Sequence, residues 1–170
     1  MIRATLLALS LSTPALAQDY GVVNFMARDL ADSDPIKAYR SAVAACLVGK
    51  GDPAATTARF TEAGWTVTED AEMGLTQIAS PDPGLYVLTA SDGSFCAAYS
   101  ETLGTDEGIA NVQIVAGAGG FSLASLDNPM GCIAFQLAPG VQGEITSSGN
   151  DPVCTDAATS SVRFTFGPVQ

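Results

Sequence analysis

Two short acidic clusters, Asp29/Asp32/Asp34 and Glu69/Asp70/Glu72, have the residue types and spacing closest to catalytic machinery in this 170-residue chain. Two carboxyl groups at a suitable separation perform acid–base or glycosidase chemistry when one is held protonated and the other ionised. Clustered oxygens also suit calcium, but neither cluster has the spacing of an EF-hand loop. Neighbours in sequence are not pairs in space, and a solvated loop or a helix cap is the favoured reading of both clusters.

The chain contains no histidine. That removes Ser-His-Asp and Cys-His hydrolases and every imidazole metal site. A Ser-Lys pair would have to draw on Lys37 or Lys50, and no S-x-x-K spacing supports one. The run Ala116-Gly117-Ala118-Gly119-Gly120-Phe121 lacks the G-K-[ST] ending of a phosphate loop and a βαβ context, and reads as a connection between helix and strand. Trp65, Tyr86, Phe95 and Tyr99 are candidates for a ligand groove, with core or sheet-face packing as the competing reading. No catalytic residue, cofactor or metal site is expected.

The four cysteines, Cys46, Cys96, Cys132 and Cys154, form no C-x-x-C pair, which argues against a dithiol redox site and, with histidine absent, against structural zinc. An even count suits two disulfides in an exported chain. Of the three connectivities, Cys46–Cys96 with Cys132–Cys154 is the expected one: the first would tie a helix to a sheet and the second would clip a long loop.

Export is the reading of the N-terminus. Met1-Ile2-Arg3 supplies a short basic start, Ala4 to Leu11 an apolar stretch, and Ala15-Leu16-Ala17 the small residues that signal peptidase accepts. The apolar stretch is shorter than the roughly 20 residues a membrane span needs. Cleavage is expected between Ala17 and Gln18, with residues 18–170 forming one domain and no cysteine placed for a lipid anchor. Loss of Arg3 deepens a formal net charge that is already −11. Such a field disfavours nucleic acid and anionic membrane surfaces as partners. At 47% hydrophobic and 15% charged residues the composition is globular.

The elements that must position these residues follow from periodicity and punctuation. Residues 18–33 read as an extended or irregular lead-in. Asp34-Pro35 starts a helix, with Ile36, Tyr39, Val43, Cys46 and Leu47 at helical spacing and Gly49 and Gly51 at its end. Asp52-Pro53 starts a second, running to about Ala63 with Ala54, Thr57, Phe60 and Ala63 inward. The period then becomes two. Leu75–Ala79, Leu85–Ala90 and Ser94–Ser100 are strands, and Asp92-Gly93 suggests a type I′ turn that pairs Thr89 with Cys96 and Val87 with Ala98. Leu85, Val87, Cys96 and Ala98 would then share one face, and Tyr86, Leu88, Phe95 and Tyr99 the other. Thr105-Asp106-Glu107 opens a third helix, although Asn111 to Val115 also fits a strand. Cys132–Leu137, Gln142–Thr146 and Ser161–Phe166 complete the set, with a polar loop at Ser147–Asp156. The order α-α-β-β-β-α-β-β-β reads as an α+β fold with helices packed on an antiparallel sheet.

Ala38-Tyr39-Arg40-Ser41-Ala42-Val43-Ala44-Ala45-Cys46-Leu47, Phe60 with Ala63-Gly64-Trp65, and Phe95-Cys96 together resemble a pattern in uncharacterised small exported proteins of bacteria, which pair a helix cysteine with a strand cysteine. The resemblance spans roughly residues 35–100. It implies periplasmic residence, supports Cys46–Cys96 and carries no activity.

The leading functional expectation is therefore a periplasmic or secreted binding or accessory module without catalytic activity, contacting an envelope or secreted protein. The alternatives are a carboxylate-dependent hydrolase of cell-envelope or polysaccharide material, and an inhibitor of a secreted enzyme acting through the loop 147–156.

Overall fold

A computed structural model describes residues 18–149 and 151–167. The expected leader, residues 1–17, lies outside the described residues. Helices α1 (Tyr20–Met26), α2 (Pro35–Gly49), α3 (Pro53–Glu62) and α4 (Thr105–Ala118) pack on a sheet of strands β1 (Thr66–Asp70), β2 (Leu75–Ala79), β3 (Leu85–Ala90), β4 (Phe95–Ser100), β5 (Ala124–Leu126), β6 (Ile133–Ala138), β7 (Val141–Thr146) and β8 (Ser160–Phe166). The strand order is β1-β2-β3-β4-β8-β7-β6-β5, and every neighbouring pair is antiparallel. The expected α+β architecture is the one observed. Two antiparallel four-strand runs meet where the C-terminal strand β8 pairs with β4.

Helix α2 is the centre of the core. Asp34 caps it by accepting from the N–H groups of Ile36 and Lys37, and Pro35 supplies the preset first turn. From Ala38 to Leu47 nearly every residue is buried, polar Ser41 included. A helix buried on all sides needs neighbours on all sides: α2 lies against α1, α3, α4 and β4. Ser41 donates to the Met26 carbonyl at 2.8 Å, and Arg40 Nε donates to Asn111 Oδ1 of α4 at 2.9 Å. Tyr39, fully buried, ends in a polar relay. Ser160 Oγ lies 3.1 Å from its hydroxyl and 2.8 Å from the Leu103 carbonyl. The carbonyl can only accept, so Ser160 gives it a proton and takes a hydrogen bond from Tyr39.

Both expected disulfides are present. Cys46–Cys96 joins α2 to β4 with Cα atoms 5.3 Å apart, and Cys132–Cys154 ties the start of β6 to the loop before β8 at 4.6 Å. Helix α4 comes close to the sheet because Gly108 sits over Ile145 and Ser160, where an added Cβ would lie 3.4 Å from each.

The structure differs from the sequence reading at several points. Residues 18–33 are not extended: Asp19 caps α1 by accepting from Gly21 and Val22, and a 3-10 turn follows at Asp29–Ala31. Seven residues of helix leave too short a pattern to register as periodic, and packing on α2 stabilises them. Ile36 is exposed, since the first turn of α2 projects beyond its neighbours. On α3 the inward residues are Thr56 and Phe60; Ala54 is exposed and Thr57 only half-buried. Thr66–Asp70 and Ala124–Leu126 are edge strands, too exposed to show a two-residue period. Residues 105–118 are helical throughout, with Thr105, Gly108, Asn111, Val112, Val115 and Ala116 forming the buried stripe. The β3–β4 register is the expected one, but the turn is not type I′, which needs positive φ at two successive residues. Lys50 is the one non-glycine with positive φ among the described residues; Gly93 has φ +76°, and its N–H bonds to the Ala90 carbonyl. This is a type I turn over Ser91-Asp92 followed by a left-handed glycine.

In the chain-entropy account, opening the Cys46–Cys96 staple, which spans 50 residues, removes about 4 kcal/mol of stability, against about 3 kcal/mol for the 22-residue Cys132–Cys154 span. Denaturant titration of the paired Cys→Ala variants should give that order. Tyr39→Phe removes a donor from a buried relay and should cost about 1–2 kcal/mol in the same assay.

Candidate functional site

Every helix lies on one face of the sheet. Cys46 holds α2 to Cys96, Gly108 seats α4 on Ile145, and α3 stands over the Glu69–Thr76 row of β1 and β2. Among the described residues no helix lies on the opposite face. The register places Tyr86 and Leu88 there from β3, Phe95, Ala97 and Tyr99 from β4, Arg163 and Thr165 from β8, and Glu144 from β7. Its β3–β4 half is aromatic and its β8–β7 half is polar.

Tyr86 and Tyr99 stand directly opposite one another and stack, with ring centroids 4.7 Å apart and planes 2° from parallel. One row further on, the Arg163 guanidinium lies over the Phe95 ring, 4.2 Å from its centroid. Ala97, between Leu88 and Arg163 in the ladder, is fully buried although it points away from the helices. Arg163 faces Glu144 across the β7–β8 ladder without ion pairing; among the described residues the one salt bridge is Lys37–Asp32. Glu144 instead accepts a 2.6 Å hydrogen bond from Asn128 Nδ2. A cavity of about 330 Å³ opens here, walled by the Leu126–Pro129 segment, Glu144 and Arg163.

The electrostatics of this face are visible at Tyr86. Partial burial, then the charge of Glu101 beside it, push its phenol up to about 12. The face offers an exposed planar cation on an aromatic bed, in register with a carboxylate that a hydrogen bond fixes.

The two acidic clusters do not become catalytic pairs. Asp32 accepts from the Asp34 N–H and pairs with Lys37 at 3.5 Å, while Asp34 caps α2. Asp29 opens the 3-10 turn. Asp70 accepts from the N–H groups of Glu72 and Met73 in the β1–β2 turn, where Glu72 is exposed. Among the described residues no three carboxylates or cysteines gather as a metal site. The carboxyl groups with displaced pKa, Asp32, Asp92 and Asp156, all move down, each chiefly through hydrogen bonds it accepts. That is the opposite of a catalytic acid. Of the aromatic candidates, Trp65 belongs to the core, donating to the Leu30 carbonyl at 3.1 Å and packing on Phe60. Lys37 pairs with Asp32, and Lys50 sits over the Tyr20 ring. The glycine-rich run ends α4, and its Gly119 carbonyl accepts from the Asp19 N–H.

Arg163, Glu144 and Asn128 did not stand out in the sequence as a group. The period-two pattern of Ser161–Phe166 puts Arg163 outward, and the hairpin puts Phe95 outward. What brings them together is the β4–β8 pairing, which joins strands sixty-odd positions apart and leaves no local signal.

Two titrations test these assignments. A phenol raised in the folded state stabilises the fold below its unfolded value near 10, and that contribution is lost as pH rises toward 12. Ultraviolet titration should therefore show a phenol ionising near pH 12 that is missing in Tyr86→Phe and moves down in Glu101→Gln. At Asp156, the N–H groups of Ala158 and Thr159 hold the carboxyl below its usual range. Its contribution is complete above about pH 4 and disappears as pH falls through the lowered value. The protection factors of the Ala158 and Thr159 amides, taken against the intrinsic exchange rate at each pH, should fall below about pH 4 in the native chain and lose that pH response in Asp156→Asn.

No family model matches the chain, and neither does any curated protein or solved structure.

Proposed function

We propose that this protein is a periplasmic or secreted binding or accessory module without catalytic activity, and that its helix-free sheet face holds an envelope or secreted protein partner. The observation that carries the proposal is the one-sided sheet. All helices cover one face, while the other presents stacked tyrosines, an arginine laid on Phe95, and a fixed carboxylate beside a shallow cavity. Aromatic and arginine side chains are the groups that most often dominate protein–protein binding energy. The strong negative charge favours a partner with basic character around the contact.

Two disulfides are compatible with a compartment outside the reducing cytosol, and no helix among the described residues is long and apolar enough to cross a membrane. The leader-like residues 1–17 and the resemblance to small exported bacterial proteins point to the periplasm as that compartment.

The test is site-specific photo-crosslinking in exporting cells. A crosslinker at exposed Thr165, on the helix-free face, should trap a discrete partner, and Arg163→Glu should abolish the product. The same crosslinker at exposed Glu107, on the helix side, should trap none. Equal products from both positions, no product at all, or turnover of envelope polysaccharide by the purified protein would each contradict the proposal.

A further inference from the structure

The two disulfides differ in how far a thiol from solvent can reach them. Cys46 is 0% and Cys96 2% exposed, deep between α2 and β4. Cys132 is 5% exposed at the start of β6, but its partner Cys154 is only half-buried, in a loop where residues 151–153 and Thr155 are exposed. Gly131, Ile133, Val153 and Thr155, the chain neighbours of this pair, carry no charge, so an anionic thiolate meets no repulsion from them.

The two bonds also hold different things. Cys46–Cys96 fixes the central helix, whereas Cys132–Cys154 ties a surface loop to a surface turn. In the loop, the Ser147 N–H donates to the Val153 carbonyl at 2.8 Å and the Val153 N–H to Ser147 Oγ at 2.9 Å. Two neutral hydrogen bonds at an exposed site hold an untethered loop weakly. The loop ends at a firmer point, Asp156. Its carbonyl accepts from the Thr105 N–H at 2.9 Å and its N–H donates to Thr105 Oγ1 at 3.1 Å, which fixes it to the first turn of α4. Across the bond, Cys132 follows a turn in which the Gly131 N–H donates to the Asn128 carbonyl at 2.8 Å and the Met130 N–H to Asn128 Oδ1 at 2.9 Å. The Met130 carbonyl oxygen lies 3.3 Å from Cys154 Sγ. Asn128 also holds Glu144, so this turn leads directly into the wall of the cavity beside Arg163.

We infer that Cys132–Cys154 is a redox-sensitive fastener. A dithiol opens it in the folded protein, which releases residues 151–155 and the turn 128–131 and loosens the cavity wall, while Cys46–Cys96 keeps α2 on the sheet. In the first step a thiolate of the dithiol attacks Cys154 Sγ, forming a mixed disulfide and expelling Cys132 as a thiolate. The second thiol of the reductant then closes on its own mixed sulfur and expels Cys154. The dithiol loses two electrons and two protons and becomes a disulfide; the cysteine pair gains them and becomes two thiols. The device needs no partner for its test, so its failure and that of the helix-free binding face are separate results.

The experiment treats the oxidised, folded protein with dithiothreitol at neutral pH, traps thiols with iodoacetamide at intervals and maps the alkylated cysteines by mass spectrometry. Cys132 and Cys154 should be labelled together, at least about a hundredfold faster than Cys46 and Cys96, whose bond is reached only when the core opens. Hydrogen exchange is then compared between the native protein and the Cys132→Ser/Cys154→Ser variant, which carries the open state without an alkyl group. Protection at the Met130, Gly131 and Val153 amides should fall at least about tenfold, with Thr105 and Leu47 unchanged. In the native chain, oxidised glutathione should restore that protection after reduction. Equal labelling rates for the two pairs, unchanged protection at Met130, Gly131 and Val153, protection that oxidised glutathione does not restore, or loss of protection at Leu47, which would make this bond a staple of the whole fold, would each overturn the inference.

Discussion

The fold depends on one buried helix being fixed to one strand. Helix α2 has almost no exposed side from Ala38 to Leu47, so it cannot hold its place alone; it needs a sheet beneath it and helices around it. The Cys46–Cys96 bond joins it to β4, the strand at the middle of the sheet where the two antiparallel runs meet. Everything else is arranged around that attachment. Helix α1 and the 3-10 turn close over α2, the Arg40–Asn111 bond links it to α4, and Phe60 with Trp65 brings α3 down beside it.

That attachment also makes the molecule one-sided. A sheet with helices fixed to a single face must present its other face to solvent or to a partner. Here the exposed face is neither plainly polar nor plainly apolar. Its aromatic half includes the fully buried Ala97, and its polar half keeps Arg163 and Glu144 in register but unpaired. An arginine beside a carboxylate in an acidic protein gains little from an exposed ion pair. Resting on Phe95, it stays exposed and makes no salt bridge among the described residues.

How far the sequence revealed this varied with the range of the interactions involved. Short-range features were legible. Asp34-Pro35 and Asp52-Pro53 start helices because a side-chain cap and a preset φ act within one turn, and the Thr89–Cys96 register follows from alternation on either side of Asp92-Gly93. The disulfide pairing was also legible, because one helix cysteine and one strand cysteine point into the same core. Exposed edges were not: β1 and β5 have no buried face to impose a period, and α1 is too short to show one. The candidate site was the least legible. Phe95 and Arg163 meet only because β8 inserts beside β4. The acidic clusters that stood out in the sequence proved instead to be caps and turns.

The claim that the helix-free face is the working surface is tested most directly by hydroxyl-radical footprinting, comparing the purified protein with the same protein in intact envelopes. Tyr39 and Phe164, buried in the core, should resist oxidation in both states. Tyr99 and Phe95 should be oxidised in the purified protein and protected in the envelope. Equal oxidation of Tyr99 and Phe95 in the two states would contradict the account.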